Sequence, residues 1–233
     1  MIARSLFALA VAISVLTGGV TIAAAAEQES AIARGGRLYD NWYKEKKMDR
    51  PEKAHPAYPA TGKYPKQSWR CKECHGWDYR GKDGVTAKTD HEIGVKGING
   101  AMGKDPAAIA ALLRDKTHAY APDQLNDKDV QDLALFVAKG QMDTAKFIDP
   151  ASGKPKGNAA KGEIYYNTLC AGCHGLDGKK VSTGIPLGQA AENPWDMLHK
   201  SFNGLPAEAM PALRSLDPSV ASDTVAYTQS LPK

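Results

Sequence analysis

Every cysteine in the chain belongs to one of two copies of Cys-x-x-Cys-His, Cys71-Lys72-Glu73-Cys74-His75 and Cys170-Ala171-Gly172-Cys173-His174. No other feature restricts the fold as much, because this pattern is the attachment signature of covalent c-type heme. Two thiols three residues apart on a helical turn reach the two vinyl groups on one porphyrin edge, and the adjacent imidazole swings beneath the ring to bind iron. Rival chemistries fit less well. Zinc ribbons place about 15–20 residues between cysteine pairs, whereas 95 residues separate Cys74 from Cys170. A redox dithiol explains one Cys-x-x-Cys but not a following histidine on both occasions. Two disulfides are the default for four cysteines in an oxidising compartment, and the spacing argues against them. The motifs therefore predict two covalently attached heme c groups on Cys71, Cys74, Cys170 and Cys173, with His75 and His174 as proximal iron ligands.

The first segment agrees with that chemistry. Arg4 precedes an apolar run from Leu6 to Val20, and Ala24-Ala25-Ala26 stands before Glu27-Gln28-Glu29. This reads as a secretory signal peptide over residues 1–26 and places the mature chain in the periplasm. An uncleaved anchor is the alternative, since Leu6 to Ala26 is 21 residues without charge, about the length a bilayer requires; membrane contact is expected only in that case. Residues 27–150 carry 21 Lys/Arg against 19 Asp/Glu, and residues 151–233 carry 8 against 7. So even a balance excludes a nucleic-acid footprint. With 22 glycines, 14 prolines and 7% aromatics, the cores must be small or filled out by something bulky and apolar.

The motifs sit 99 residues apart, and their flanks repeat. Gly36-Arg37-Leu38-Tyr39-Asp40-Asn41 aligns with Gly162-Glu163-Ile164-Tyr165-Tyr166-Asn167, each in an amphipathic helical stretch ahead of its motif. Each half closes with a helix. Asn126 caps Asp127 to Lys139, with Val130, Leu133, Ala134 and Val137 on one face; Asp217-Pro218 opens Ser219 to Ser230, with Val220, Thr224 and Tyr227. Shorter helices run from Asp105-Pro106 to Arg114 and from Asn193-Pro194 to Phe202. Strand patterning is nearly absent, so the fold class is all-α: two domains, each wrapped around one heme.

These features resemble the class I cytochromes c in their tandem diheme form, over most of the mature chain. The resemblance implies an N-terminal domain over 27–146, a linker over 147–157 and a C-terminal domain over 158–233. It also implies that the first and last helices of each domain cross at a small residue, here Gly36 and Gly162. Residues 49–69, with Pro51, Pro56, Pro59 and Pro65, are an insert relative to the family and read as an extended surface loop. Met210-Pro211 stands in the loop ahead of the last helix, where these cytochromes place their sulfur ligand; Met197, read as core, and His199, read as a solvated helix position, compete with it. In the first half His118 occupies the same slot. Its competitors are Met102 and His91, while His91 and His55 also read as exposed loop histidines. The implied ligand sets are His75/His118 and His174/Met210.

With both irons six-coordinate, the resemblance implies an electron carrier, passing electrons from heme 1 to heme 2 between a dehydrogenase or quinol-oxidising donor and a later acceptor. Its partners are periplasmic redox proteins met transiently. Lys72, Arg80, Lys82, Lys88, Lys179 and Lys180 form either a positive rim or an ordinary solvated surface. The alternatives in function are a heme enzyme, such as a peroxidase or a sulfur- or nitrogen-compound oxidoreductase, and a dedicated cytochrome subunit of a dehydrogenase complex. His/Cys ligation is excluded, since no cysteine remains outside the motifs.

Overall fold

The computed structural model describes residues 2–233, with side chains described from Ala24 onward. All but the last three residues of the expected signal peptide lie outside the described side chains. Among the residues whose side chains are described, from Ala24 onward, no helix is long and apolar enough to cross a membrane. The backbone is helix and turn: α1 (Ile2–Glu45), α2 (Cys71–His75), α3 (Pro106–Leu113), α4 (Asp127–Leu135), α5 (Ala159–Tyr165), α6 (Ala171–His174), α7 (Leu187–Ala190), α8 (Pro194–Asn203) and α9 (Pro218–Thr228). Pairing between chain segments is limited, among the described residues, to isolated bridges at Gly81–Lys96 and Ile148–Pro155.

The helix starts follow from capping chemistry. Asn126 and Asp129 form a reciprocal capping box at α4, and Asp105, Asn193 and Asp217 each accept a backbone N–H ahead of a proline that opens α3, α8 and α9. These side chains satisfy amide groups that the first helical turn leaves without partners. α4 runs on into one π-helical turn, Phe136–Gly140, and α5 into another, Tyr166–Cys170. Within α1 the backbone breaks at Asn41 (φ −159°, ψ 87°), whose side chain accepts the Lys44 N–H at 3.0 Å and restarts the last turn.

The same helix crossing occurs twice. A Cβ added at Gly35 would strike the Asp132 carbonyl oxygen of α4, and one at Gly162 would strike the Asp223 carbonyl oxygen of α9. Four residues on from each glycine, a tyrosine hydroxyl donates to the carbonyl that follows a heme-motif histidine: Tyr39 to Gly76 at 2.6 Å and Tyr166 to Gly175 at 2.7 Å. The first-half crossing therefore falls on Gly35, not on the expected Gly36, and the repeat pairs Tyr39 with Tyr166. Gly36 makes a different approach, against Asn203 of α8.

α8 joins the two halves. The expectation that His199 is solvated is wrong: the residue is 1% exposed. Its Nε2–H donates to the Gly36 carbonyl at 2.9 Å, which leaves Nδ1 to accept the Tyr79 hydroxyl at 2.8 Å. Tyr39, Tyr79, Phe136 and Trp77 pack around the ring. Helix α8 turns this face inward because His199 finds buried partners there, the Gly36 carbonyl of α1 and the Tyr79 hydroxyl, rather than water. Residues 147–157 are likewise folded: Ile148 is buried with Leu198, Phe202, Ala221 and Val225, and the Lys156 N–H returns to the Phe147 carbonyl at 2.7 Å. Met197 packs against that cluster, as read from sequence.

Burial pushes the His199 pKa down from 6.5 to about 4, with Asp40 opposing the fall and Lys200 and Arg214 adding to it. The folded protein thus holds this ring neutral where the unfolded chain takes up a proton. The His199 contribution to stability is complete above pH about 6.5 and is lost as pH falls toward about 4, at on the order of 1 kcal/mol per pH unit. Urea unfolding midpoints measured across that window are expected to fall in the wild type and to fall less in His199→Gln.

Candidate functional site

Helix α2 is a single turn, and it brings Cys71, Cys74 and His75 to one place. None of the four cysteines is in a disulfide. Burial pushes the thiols up, Cys71 to about 11, Cys74 to about 12 and Cys170 to about 11. A reactive dithiol needs the opposite shift, toward thiolate at neutral pH. The first pair is sheltered, with the Tyr120 hydroxyl 4.0 Å from Cys71 Sγ, whereas Cys173 is exposed.

His75 Nδ1–H donates to the Lys96 carbonyl at 2.7 Å, and the Gly81 N–H returns to the His75 carbonyl at 2.9 Å. His118 is held in the loop before α4, where its N–H reaches Asp115 Oδ1 at 2.9 Å and its Nδ1 lies 3.3 Å from the same oxygen. In both rings Nδ1 is engaged and Nε2 has no hydrogen-bond partner among the described residues. The ring centroids are 6.4 Å apart at an interplanar angle of 30°. Two imidazoles that each hold a metal at about 2 Å from opposite sides have ring centres roughly 6 Å apart. Burial lowers the His75 pKa, which favours the neutral imidazole that ligates metals. The residues present fit a heme iron between them.

The competitors lie elsewhere. Met102 is about half exposed and lines a cavity of about 520 Å³ with Tyr79, Gln141 and Trp195, a wall that includes neither His75 nor His118. His91 is stacked on Tyr64 at 4.0 Å, and its Nδ1 lies 2.8 Å from Glu73 Oε1. Nor is His91 the free loop residue expected. His55 departs further from expectation. It is 8% exposed, edge-on to Trp69 at 4.5 Å, and bonded through Nε2 to the His118 carbonyl at 2.7 Å. The insert therefore is not a plain surface loop, because Tyr58, Ser68 and Trp69 bury with it. Lys72 is drawn inward to Glu73 at 3.0 Å and leaves the candidate basic rim.

In the second half, Cys170 closes a π-helical turn and Cys173 and His174 lie on α6. His174 Nδ1 is buried without a hydrogen-bond partner of good geometry among the described residues. Leu169, Leu176 and Ile185, which flank the motif in sequence, are 45%, 73% and 48% exposed. Unsheltered apolar side chains on either side of paired thiols are what a covalently bound apolar macrocycle would cover. Met210 is half-buried and lines a cavity of about 770 Å³ with Ala33, Arg37, Glu45 and Arg214; His174 is not in that wall.

Residues 157–227 match the family model described as cytochrome C oxidase, cbb3-type, subunit III. The match supports a c-type cytochrome domain over the second half, for which covalent heme c is the implied cofactor and electron transfer the implied role. No curated protein matches the chain.

Sequence reasoning missed His55, His199 and Tyr79 as shapers of the site. Their partners lie 63 to 163 residues away, beyond any local pattern. The paired spacing Gly35-x-x-x-Tyr39 and Gly162-x-x-x-Tyr166 is present in the sequence, but Gly36-x-x-Tyr39 and Gly162-x-x-Tyr165 match equally well, so it does not fix the crossing by itself.

Proposed function

We propose that the chain is an exported diheme cytochrome c, two tandem class I domains in the periplasm, that carries electrons between a dehydrogenase or quinol-oxidising donor and a later acceptor. The observation that carries this reading is the His75–His118 pair, with ring centres 6.4 Å apart and both Nε2 atoms free of protein partners. Bound heme supplies one-electron redox chemistry. Cys71 and Cys74 hold it at the first site, and Cys170 and Cys173 at the second. At the first site the Lys96 carbonyl and the Asp115 carboxylate orient the two imidazoles through Nδ1, the outer-shell arrangement that fixes a ligating tautomer. With an imidazole on each side, that site offers no position to a substrate, which suits a carrier.

His174 and Met210 are the ligands proposed for the second site. A thioether favours the reduced metal more than a second imidazole does, so the second site is expected to accept the first electron. Encounters with partner redox proteins would be small and transient.

Intact-mass spectrometry of the exported protein is expected to show the chain from Glu27 plus two heme masses, and the double variant Cys170→Ala/Cys173→Ala to show one. A wild-type mass with one heme, or with two disulfides, contradicts the reading.

One observation favours a second reading. The cavity wall that includes Met210 does not include His174, as expected if the sixth position at the second site is open and the chain turns over a small substrate there. Rapid stoichiometric carbon monoxide binding at the second site of the wild-type reduced protein, with multiple turnover of peroxide or a sulfur compound, would select that reading over the carrier.

A further inference from the structure

We propose that His55 is a positioning residue for the distal ligand of the first site, delivered by the insert over residues 49–69; this rests on His118 being that ligand. The Ala57 N–H donates to His55 Nδ1 at 3.2 Å, which places the ring proton on Nε2, and Nε2–H donates to the His118 carbonyl at 2.7 Å. A bond to the ligand's own backbone fixes where its side chain starts, in the way that outer-shell groups fix metal ligands.

The anchor is itself held. The His55 N–H donates to Ser68 Oγ at 2.8 Å, and the Ser68 hydroxyl donates to the Pro65 carbonyl at 2.7 Å. Trp69, against which the ring sits edge-on, bonds through Nε1 to the Lys53 carbonyl at 2.7 Å, and Trp42 Nε1 bonds to the Trp69 carbonyl at 2.9 Å. At 8% exposure the His55 ring is shielded from competing water.

The gripped loop needs an external hold. Ala119, directly after His118, sits at φ +54°, a left-handed conformation that costs an L-residue roughly 1–2 kcal/mol. Asp115 and Arg114 brace the loop from its own N-terminal side, at His118 and at the Tyr120 carbonyl. His55 braces it from the insert, across 63 residues of sequence. The second half has no such insert ahead of its motif, and its candidate distal residue is a methionine in a separate loop.

The test is the rate of carbon monoxide binding to the first site of the reduced diheme protein, alongside the low-spin spectrum of the oxidised form. His55→Phe keeps a ring against Trp69 and removes the donor. It is expected to speed carbon monoxide binding roughly ten- to hundredfold and to broaden the first-site low-spin signal. His55→Gln, which retains an N–H donor, is expected to restore both toward wild type. Ser68→Ala, which loosens the anchor, is expected to move both in the direction of His55→Phe, and decides the matter alone if His55→Phe does not fold. His118→Ala separates ligation by His118 from positioning by His55. If it opens the first site while His55→Phe and Ser68→Ala bind carbon monoxide at the wild-type rate, the positioning role is overturned and the ligand assignment stands. If His118→Ala leaves the first site closed, the ligand assignment fails and takes the positioning role with it.

Discussion

His118→Ala is expected to change the first site from one that binds carbon monoxide only slowly to one that takes up a single equivalent rapidly, with its oxidised form moving from low to high spin. The expectation follows from the short list of groups that the fold brings near His75. Across from His75 stands one imidazole with a free Nε2, braced by Asp115 and by His55. The sequence alternatives are committed elsewhere, His91 to Glu73 and Tyr64 and Met102 to a different cavity wall. With the imidazole gone no second ligand is in reach, so the effect should approach full occupancy. A spectrum unchanged in His118→Ala and altered in Met102→Ala would show that the loop over residues 97–103 supplies the ligand instead.

The second large effect concerns the frame that holds both sites. Gly35→Val and Gly162→Val are each expected to destabilise their half by about 3 kcal/mol or more, since overpacking costs about 1–3 kcal/mol even where neighbours can yield. Here they cannot. The added Cβ meets main-chain carbonyl oxygens, those of Asp132 and Asp223, and backbone in a helix moves only if the helix moves. Because a domain of this size is stable by about 5–15 kcal/mol in total, heme retention and the urea midpoint of the altered half should fall together. Gly172→Ala is the control: nothing lies within 4 Å of its added Cβ, so it should be neutral or slightly stabilising. Equal midpoints for Gly162→Val and Gly172→Ala would mean that α5 and α9 do not cross where they are placed.

Much of this frame was legible in the sequence because it rests on short-range chemistry. The caps at Asp105, Asn126, Asn193 and Asp217, each with its proline or capping partner, mark four helix starts to within a residue. The two Cys-x-x-Cys-His motifs pick out two short helical turns by spacing alone. The crossing register was not legible, for a specific reason. Gly35-Gly36 and Tyr165-Tyr166 are both doublets, so two alignments one residue apart score alike. Only the hydrogen bonds from Tyr39 and Tyr166 to the carbonyls of Gly76 and Gly175 choose between them.

The histidines show the same limit. His199 lies in a polar helix beside Lys200, and His55 in a proline-rich segment, and each local context reads as solvent-facing. Burial comes instead from Gly36, Tyr79, Trp69 and His118, which pair with these rings across the fold. At α9 residue type was a partial guide: Thr224 is buried as expected, but Val220 and Tyr227 stay half-buried, and Ala221, Val225 and Thr228 are buried instead. Small residues there admit the close approach of α5, and a pattern search for large apolar side chains passes over them.

The low-temperature electron paramagnetic resonance spectrum of the oxidised protein, read with its near-infrared charge-transfer bands, tests the central claim most directly because it reports both ligand sets at once. Two low-spin ferric centres are expected: one bis-imidazole, lost in His118→Ala, and one with the sulfur-to-iron band, lost in Met210→Ala. A single centre, or a high-spin signal from the first site of the wild-type protein, would contradict it.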